Sequence, residues 1–161
     1  MRGFTLLEIL VSIVIFAVII SAIFALLKVA DISWDSDMGL LDLQQSCRQA
    51  MDVMIRELRQ SRPASVTLNA SRDRVDFFIP GITEGVSYYL SGGQIIREHP
   101  AGTTGVLANH ITELSFCCIG GVDCFACSSS KGVLINLQAA KTVKGYPLSF
   151  GLREQVRLRN E

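Results

Sequence analysis

Residues 3–27 read GFTLLEILVSIVIFAVIISAIFALL, and this stretch decides how the chain is organised. From Ile9 to Leu27 there is no charge, no glycine and no proline. As one helix the run is about 28 Å long at roughly 1.5 Å per residue, close to the ~30 Å hydrocarbon core of a bilayer. It can therefore span a membrane with its backbone groups hydrogen-bonded internally. Glu8 is the anomaly, because a lone carboxylate just inside an apolar block is costly unless it finds a partner.

The flanks give an orientation. Arg2 precedes the run, and Asp31, Asp35 and Asp37 follow it against a single Lys28. The excess of positive charge on the cytoplasmic side then places the N-terminus inside and the remainder outside. The apolar core is too long for a cleavable secretory signal and lacks an Ala-x-Ala site, so the helix is expected to stay in the mature protein. With 161 residues, the chain allows one modest domain beyond this helix. Fifteen basic and fifteen acidic residues balance to zero, and this gives no argument for nucleic acid as a partner.

Downstream the polarity changes while helical signals persist. Asp31 to Asp37 is polar and is expected to loosen the helix locally. Leu40, Leu43, Cys47, Met51, Met54 and Leu58 then step by three or four, one apolar stripe suited to packing on a sheet. Pro63 should stop the helix, giving one long helix from about Phe4 to Ser61. The rest reads as strands: 65–69, 74–79, 86–90, 94–98, 111–118 and 132–137. Ser91-Gly92-Gly93 is expected as a three-residue hairpin loop. Near the end Leu152, Val156 and Leu158 share one face, with Arg153, Gln155, Arg157 and Arg159 on the other. A helix followed by an antiparallel sheet packed on it is an α+β layout.

Gly3, Phe4, Thr5, Leu6, Leu7 and Glu8, followed by the apolar helix, resemble the class III signal of type IV pilins and pseudopilins. The resemblance implies cleavage between Gly3 and Phe4 by a prepilin peptidase and methylation of the new Phe4 amine. It further implies that Glu8 pairs with the amino terminus of a neighbouring subunit, which would make it a register key: a paired ion in an apolar surrounding is penalised far less than an unpaired one. It divides the chain into a leader (1–3), a transmembrane and filament-core helix (4–30) and a periplasmic α+β head (31–161), helical to about residue 62. It also implies an inner-membrane precursor that moves into a pilus or pseudopilus, with prepilin peptidase, other pilin or pseudopilin subunits and the inner membrane as partners. The leader is short for that family. The head resembles minor pilins or J-type pseudopilins at Arg48–Asp52, Arg56–Gln60, Val86–Leu90 and Val156–Asn160.

Cys117, Cys118, Cys124 and Cys127 place four thiols within eleven residues. In an exported chain they favour disulfides that staple a loop. Adjacent cysteines seldom bridge each other, so Cys117 and Cys118 should each bond to Cys124 or Cys127, in one of two pairings. Four thiolates holding zinc, a redox Cys-x-x-Cys and free thiols are the other readings. Cys47 lies on the apolar stripe and reads as core, or as a bridge to the loop cluster. His99 and His110 stand in no catalytic spacing. Asp31, Asp35, Asp37 and Asp42 read as solvated charge, since they lack a calcium-loop pattern. Arg48, Arg56, Arg59 and Arg62 suit the C-terminal end of a helix. The sequence therefore points to a structural subunit, with no catalytic set, metal, cofactor or small-molecule substrate, and with nucleic acid disfavoured. The leading expectation is a minor pilin acting in assembly initiation at the tip of a type IV pilus. The alternatives are a minor pseudopilin of a type II secretion system and a membrane-anchored binding module with a zinc-holding cysteine loop.

Overall fold

The computed structural model describes residues 5–120, 123–125 and 127–159. Helix α1 runs from Leu6 to Leu58, 53 residues, or about 80 Å at 1.5 Å per residue. Thr5 is its N-cap, extended in backbone, with Oγ1 accepting the Glu8 backbone N–H at 3.4 Å. Thr5-x-x-Glu8 is thus a capping-box sequence with a carboxylate in the first turn, where the helix dipole favours one.

The two halves of α1 differ in what covers them. The apolar half buries nothing within the chain. The second half buries Leu43, Cys47, Ala50, Met51, Met54 and Leu58, the stripe read from the sequence. Asp31 to Asp37, expected to loosen the helix, stays fully helical. The reason is tertiary. Lys144 bonds Asp31 at 2.7 Å and Asp35 at 2.5 Å, so two successive turns are tied to the head. The helix also ends earlier than the expected Ser61. The Ser61 N–H and Oγ both donate to the Leu58 carbonyl, at 3.0 and 2.7 Å, which tightens the last turn into a stop. Pro63 opens the 3₁₀ turn Pro63–Ser65 instead of ending α1; its missing N–H is no loss at that position.

Among the described residues eight strands follow: β1 (Thr67–Leu68), β2 (Arg74–Phe77), β3 (Val86–Ser91), β4 (Gln94–Glu98), β5 (Thr104–Asn109), β6 (Ile111–Ile119), β7 (Gly132–Val143) and β8 (Tyr146–Arg157). They form two antiparallel sheets, β1-β2-β3-β4-β5 and β6-β7-β8, where the sequence suggested one. His110, with φ 63°, turns the chain from β5 into β6. The sheets are stitched by the Ile111 N–H to the Gly93 carbonyl and the Phe116 N–H to the Arg72 carbonyl, at 2.9 and 2.8 Å.

Two hairpins depart from their expected form. Ser91 pairs with Gln94, so the loop is Gly92-Gly93 alone, two residues at φ 56° and 74°. That is a type I′ turn, whose twist matches the strands. The strand expected over 132–137 continues to Val143 and returns as β8 through Lys144-Gly145, at φ 48° and 87°. Val143 pairs with Tyr146 across this second tight turn. The nitrogen of Pro147 then points away from β7, where it removes no ladder bond.

One core joins α1 to both sheets, with Tyr88, Phe77, Phe116 and Met54 fully buried in it. Leu158 and Val156 are buried from β8 and its exit, while Arg153, Gln155, Arg157 and Arg159 are exposed. The Tyr88 hydroxyl donates to Glu57 Oε2 at 2.6 Å, and Arg97 pairs with Glu57 at 3.0 Å. This network ties the end of α1 to β3 and β4, and the pairing is what makes the carboxylate tolerable there. The result is an α+β, pilin-like fold.

Candidate functional site

The candidate site is the N-terminal half of α1. The large apolar side chains there, from Leu6 to Val29, are at least 38% exposed. An 18-residue window of the helix reaches a mean hydropathy of 3.1. The hydroxyls on this half are satisfied locally: Ser12 donates to the Glu8 carbonyl at 2.7 Å and Ser21 to the Val18 carbonyl at 2.8 Å. The two serines thus offer no unpaired hydroxyl to lipid or to another helix, and their small size allows close approach. Glu8 is exposed in the first turn of this helix. The proposed cleavage point, between Gly3 and Phe4, lies outside the described residues.

The head meets the helix through the β7–β8 hairpin, which lies along it. Lys141 bonds Asp42 at 3.4 Å, and Val143 and Leu148 sit over Gly39. Lys144 then reaches Asp35 and Asp31, so the hairpin descends the helix towards the apolar half. A Cβ on Gly39 would stand 2.8 Å from Val143 Cγ2. The glycine, which costs a helix interior about 1 kcal/mol, therefore makes the notch that seats the hairpin. Hydrogen bonds that Lys144 donates to Asp31 and Asp35 hold its ammonium pKa above its ordinary value. Asp31, Asp35 and Asp42, read as solvated charge, are thus partners of the hairpin lysines.

Cys117 bonds Cys124 and Cys118 bonds Cys127. The two bridges cross, and they close loops with sequence separations of 7 and 9. Chain-entropy arguments give each about 2.5 kcal/mol of restraint on the unfolded chain. The loop is pinned further by the Cys118 N–H to the Cys124 carbonyl at 2.9 Å, and Phe125 stands 51% exposed upon it. Oxidised sulfurs are not thiolate ligands, so this arrangement does not support the zinc-loop reading. Cys47 is fully buried on α1 and free, not bridged to the loop. Burial pushes its thiol pKa up, with Ser46 pulling weakly the other way, so it packs as a small hydrophobe.

His99 Nδ1 lies 3.3 Å from the Gly85 carbonyl, a structural contact at the start of the β4–β5 connection. Arg48 shares a groove with Asp52, Ile55, Leu152 and Glu154, so its surroundings are of mixed sign and offer no continuous cradle for a polyanion. Sequence reasoning missed Gly39, Lys144 and the Glu57–Tyr88–Arg97 network. The Lys144-Gly145 pair was the signal available for the hairpin, because that dipeptide accepts left-handed backbone at a tight turn.

Residues 1–24 match the family described as the prokaryotic N-terminal methylation motif, the prepilin signal of type IV pilins. Among curated proteins, none matches the chain.

Proposed function

We propose that this chain is a minor pilin, made as an inner-membrane precursor, cleaved after Gly3 and assembled through α1 into a type IV filament whose growth it helps to initiate. The prepilin signal supports a type IV pilin or pseudopilin precursor, processed by prepilin peptidase and assembled with other such subunits. The observation that carries the reading is the apolar half of α1, which is capped, continuous and uncovered by its own head. Such a face needs an apolar surrounding twice, first from lipid and then from neighbouring helices. Exchange between the two costs little net hydrophobic energy. Assembly is then governed by the pairing of Glu8 and by contacts of the head. The segments 48–52, 56–60, 86–90 and 156–160 resemble minor pilins and J-type pseudopilins alike, so the second reading within the same class is a minor pseudopilin of a type II secretion system.

The direct test is intact mass and N-terminal fragmentation of the membrane-extracted protein. A chain beginning at N-methylated Phe4 supports the reading, while a chain retaining Met1 to Gly3 in cells with active peptidase contradicts it. Glu8→Ala should insert and be cleaved normally yet enter filaments poorly. Normal incorporation of that variant, read by immunoblot of sheared filaments, would remove Glu8 from the assembly step. Genes beside this one, for a pilus motor or for secretion components, separate the two machines.

A further inference from the structure

We infer that the tip of the β7–β8 hairpin and Trp34 form a seat for the head on the headgroup–acyl boundary of the bilayer. The inference rests on the membrane-anchored precursor reading above. The hairpin descends α1 from Asp42 to Asp31, so Lys144, Gly145 and Tyr146 are the part of the head nearest the apolar run that ends at Leu27. Tyr146 is 53% exposed and shares an open groove with Val29, Ile32, Ser33 and Leu148, the first turns past that run.

Trp34 is the chain's one tryptophan, and it is 66% exposed. It lies largely on the other side of α1 from the hairpin, for Ile32, Asp35, Ser36 and Gly39 are partly buried while Trp34 is exposed. The Trp34 backbone is about 10 Å along the axis from Leu27. A helical side chain covers the turn N-terminal to its own Cα, so the indole reaches back towards the bilayer. The polar zone of a membrane extends about 5–8 Å beyond its hydrocarbon core. Tyr146 and the Trp34 indole therefore flank the helix at this level, where amphipathic aromatic rings are favoured because one part wants lipid and the other water.

Charge agrees with this placement. Asp31 and Asp35 would be ill-suited to the surface of a low-dielectric slab, but both are bonded to Lys144. Lys28 is exposed between the span and the seat, where a long stem can carry its ammonium outward to the headgroups. The occupant is thus the boundary of the same bilayer that holds the span, reached without a break in the helix.

Trp34 is a built-in probe. The full-length chain would be reconstituted at low protein density in phosphatidylcholine–phosphatidylglycerol vesicles. In one set the acyl chains are brominated near the carbonyls. In a second set they are brominated near the methyl ends. Trp34 emission should shift to the blue relative to the urea-unfolded protein and be quenched most by the shallow bromines. Tyr146→Trp in a Trp34→Phe background should behave in the same way. Emission at the water position with no quenching from either set would overturn the seat. So would a blue shift that appears only at high protein density and without quenching, since a neighbouring copy would then cover Trp34. Phe16→Trp with Trp34→Phe serves as the depth control. If that residue is quenched by the deep bromines while Trp34 is not, the seat fails and the span stands. If neither is quenched, the span itself fails.

Discussion

The two halves of α1 belong to one unbroken helix but are held by different solvents. From Leu6 to Val29 the large apolar side chains are exposed, and the head buries none of them. From Leu43 to Leu58 the same helix is the central element of a core shared by both sheets. Local signals do not separate them, since each half is apolar and helical. What separates them is the width of the apolar surface. The first half is apolar all round, and the second is apolar on one stripe with Arg48, Asp52 and Arg56 off it. The stability of the head should therefore reside in the second half, while the first half answers to membrane or filament.

The sharpest test of that division is a pair of truncations. Leu58→Ala is expected to cost the head about 2–5 kcal/mol, as large-to-small changes in packed cores do. Phe16→Ala, at a position 64% exposed, should leave the same unfolding transition where it was. Urea midpoints of the full-length chain in detergent give both numbers, and equal losses would break the comparison. A smaller effect is expected at the joint. Gly39→Leu forces a side chain against Val143 and Leu148 and should cost about 1–3 kcal/mol, as overpacking does. Faster hydrogen exchange at Val143 to Leu148, with the β3–β4 hairpin unchanged, would localise the damage. A uniform loss would show that the joint and the core are not separable.

The smallest effect is one of pH. Burial pushes the Tyr88 phenol pKa far above its ordinary value of 10.0, and the hydrogen bond and charge of Glu57 push it further. A raised folded pKa gives stabilisation that is complete below the unfolded value and is lost as pH rises from there. The head should thus weaken above about pH 10, where an unfolded tyrosine ionises and the folded one does not. Tyr88→Phe should lower stability at neutral pH but make the alkaline decline shallower. Parallel curves for the two proteins, from urea midpoints across that range, would mean that Tyr88 is not the group responsible.

Much of the fold is legible in the sequence because its signals are local. The stripe from Leu43 to Leu58, the glycines after β3 and the alternation before Arg159 each report a period or a turn residue. The errors fall where tertiary contacts decide. Asp31 to Asp37 reads as a weak helix because its stabilising partner, Lys144, is more than a hundred residues away. Strand β5 went unread because Thr104 to Val106 is exposed, so no buried alternation marks it. The full length of β7 and β8 was hidden for the same reason: Thr142, Lys144 and Tyr146 form an exposed tip. In the candidate site, Glu8 and the apolar run stand out through composition. The Gly39 notch does not, because a glycine in a helical pattern gains meaning only from what approaches it.

The union of α1 with the hairpin has a mechanical consequence. No proline interrupts the helix, its interior glycine is clamped under Val143, and its polar turns are braced by Lys144. Sharp kinks in helices are most common at proline, and from Leu6 to Leu58 there is none. Head and first turn are therefore joined by one unbroken helix from Leu6 to Leu58. A push that raises the head by one helical pitch, about 5.4 Å, raises Glu8 by the same amount.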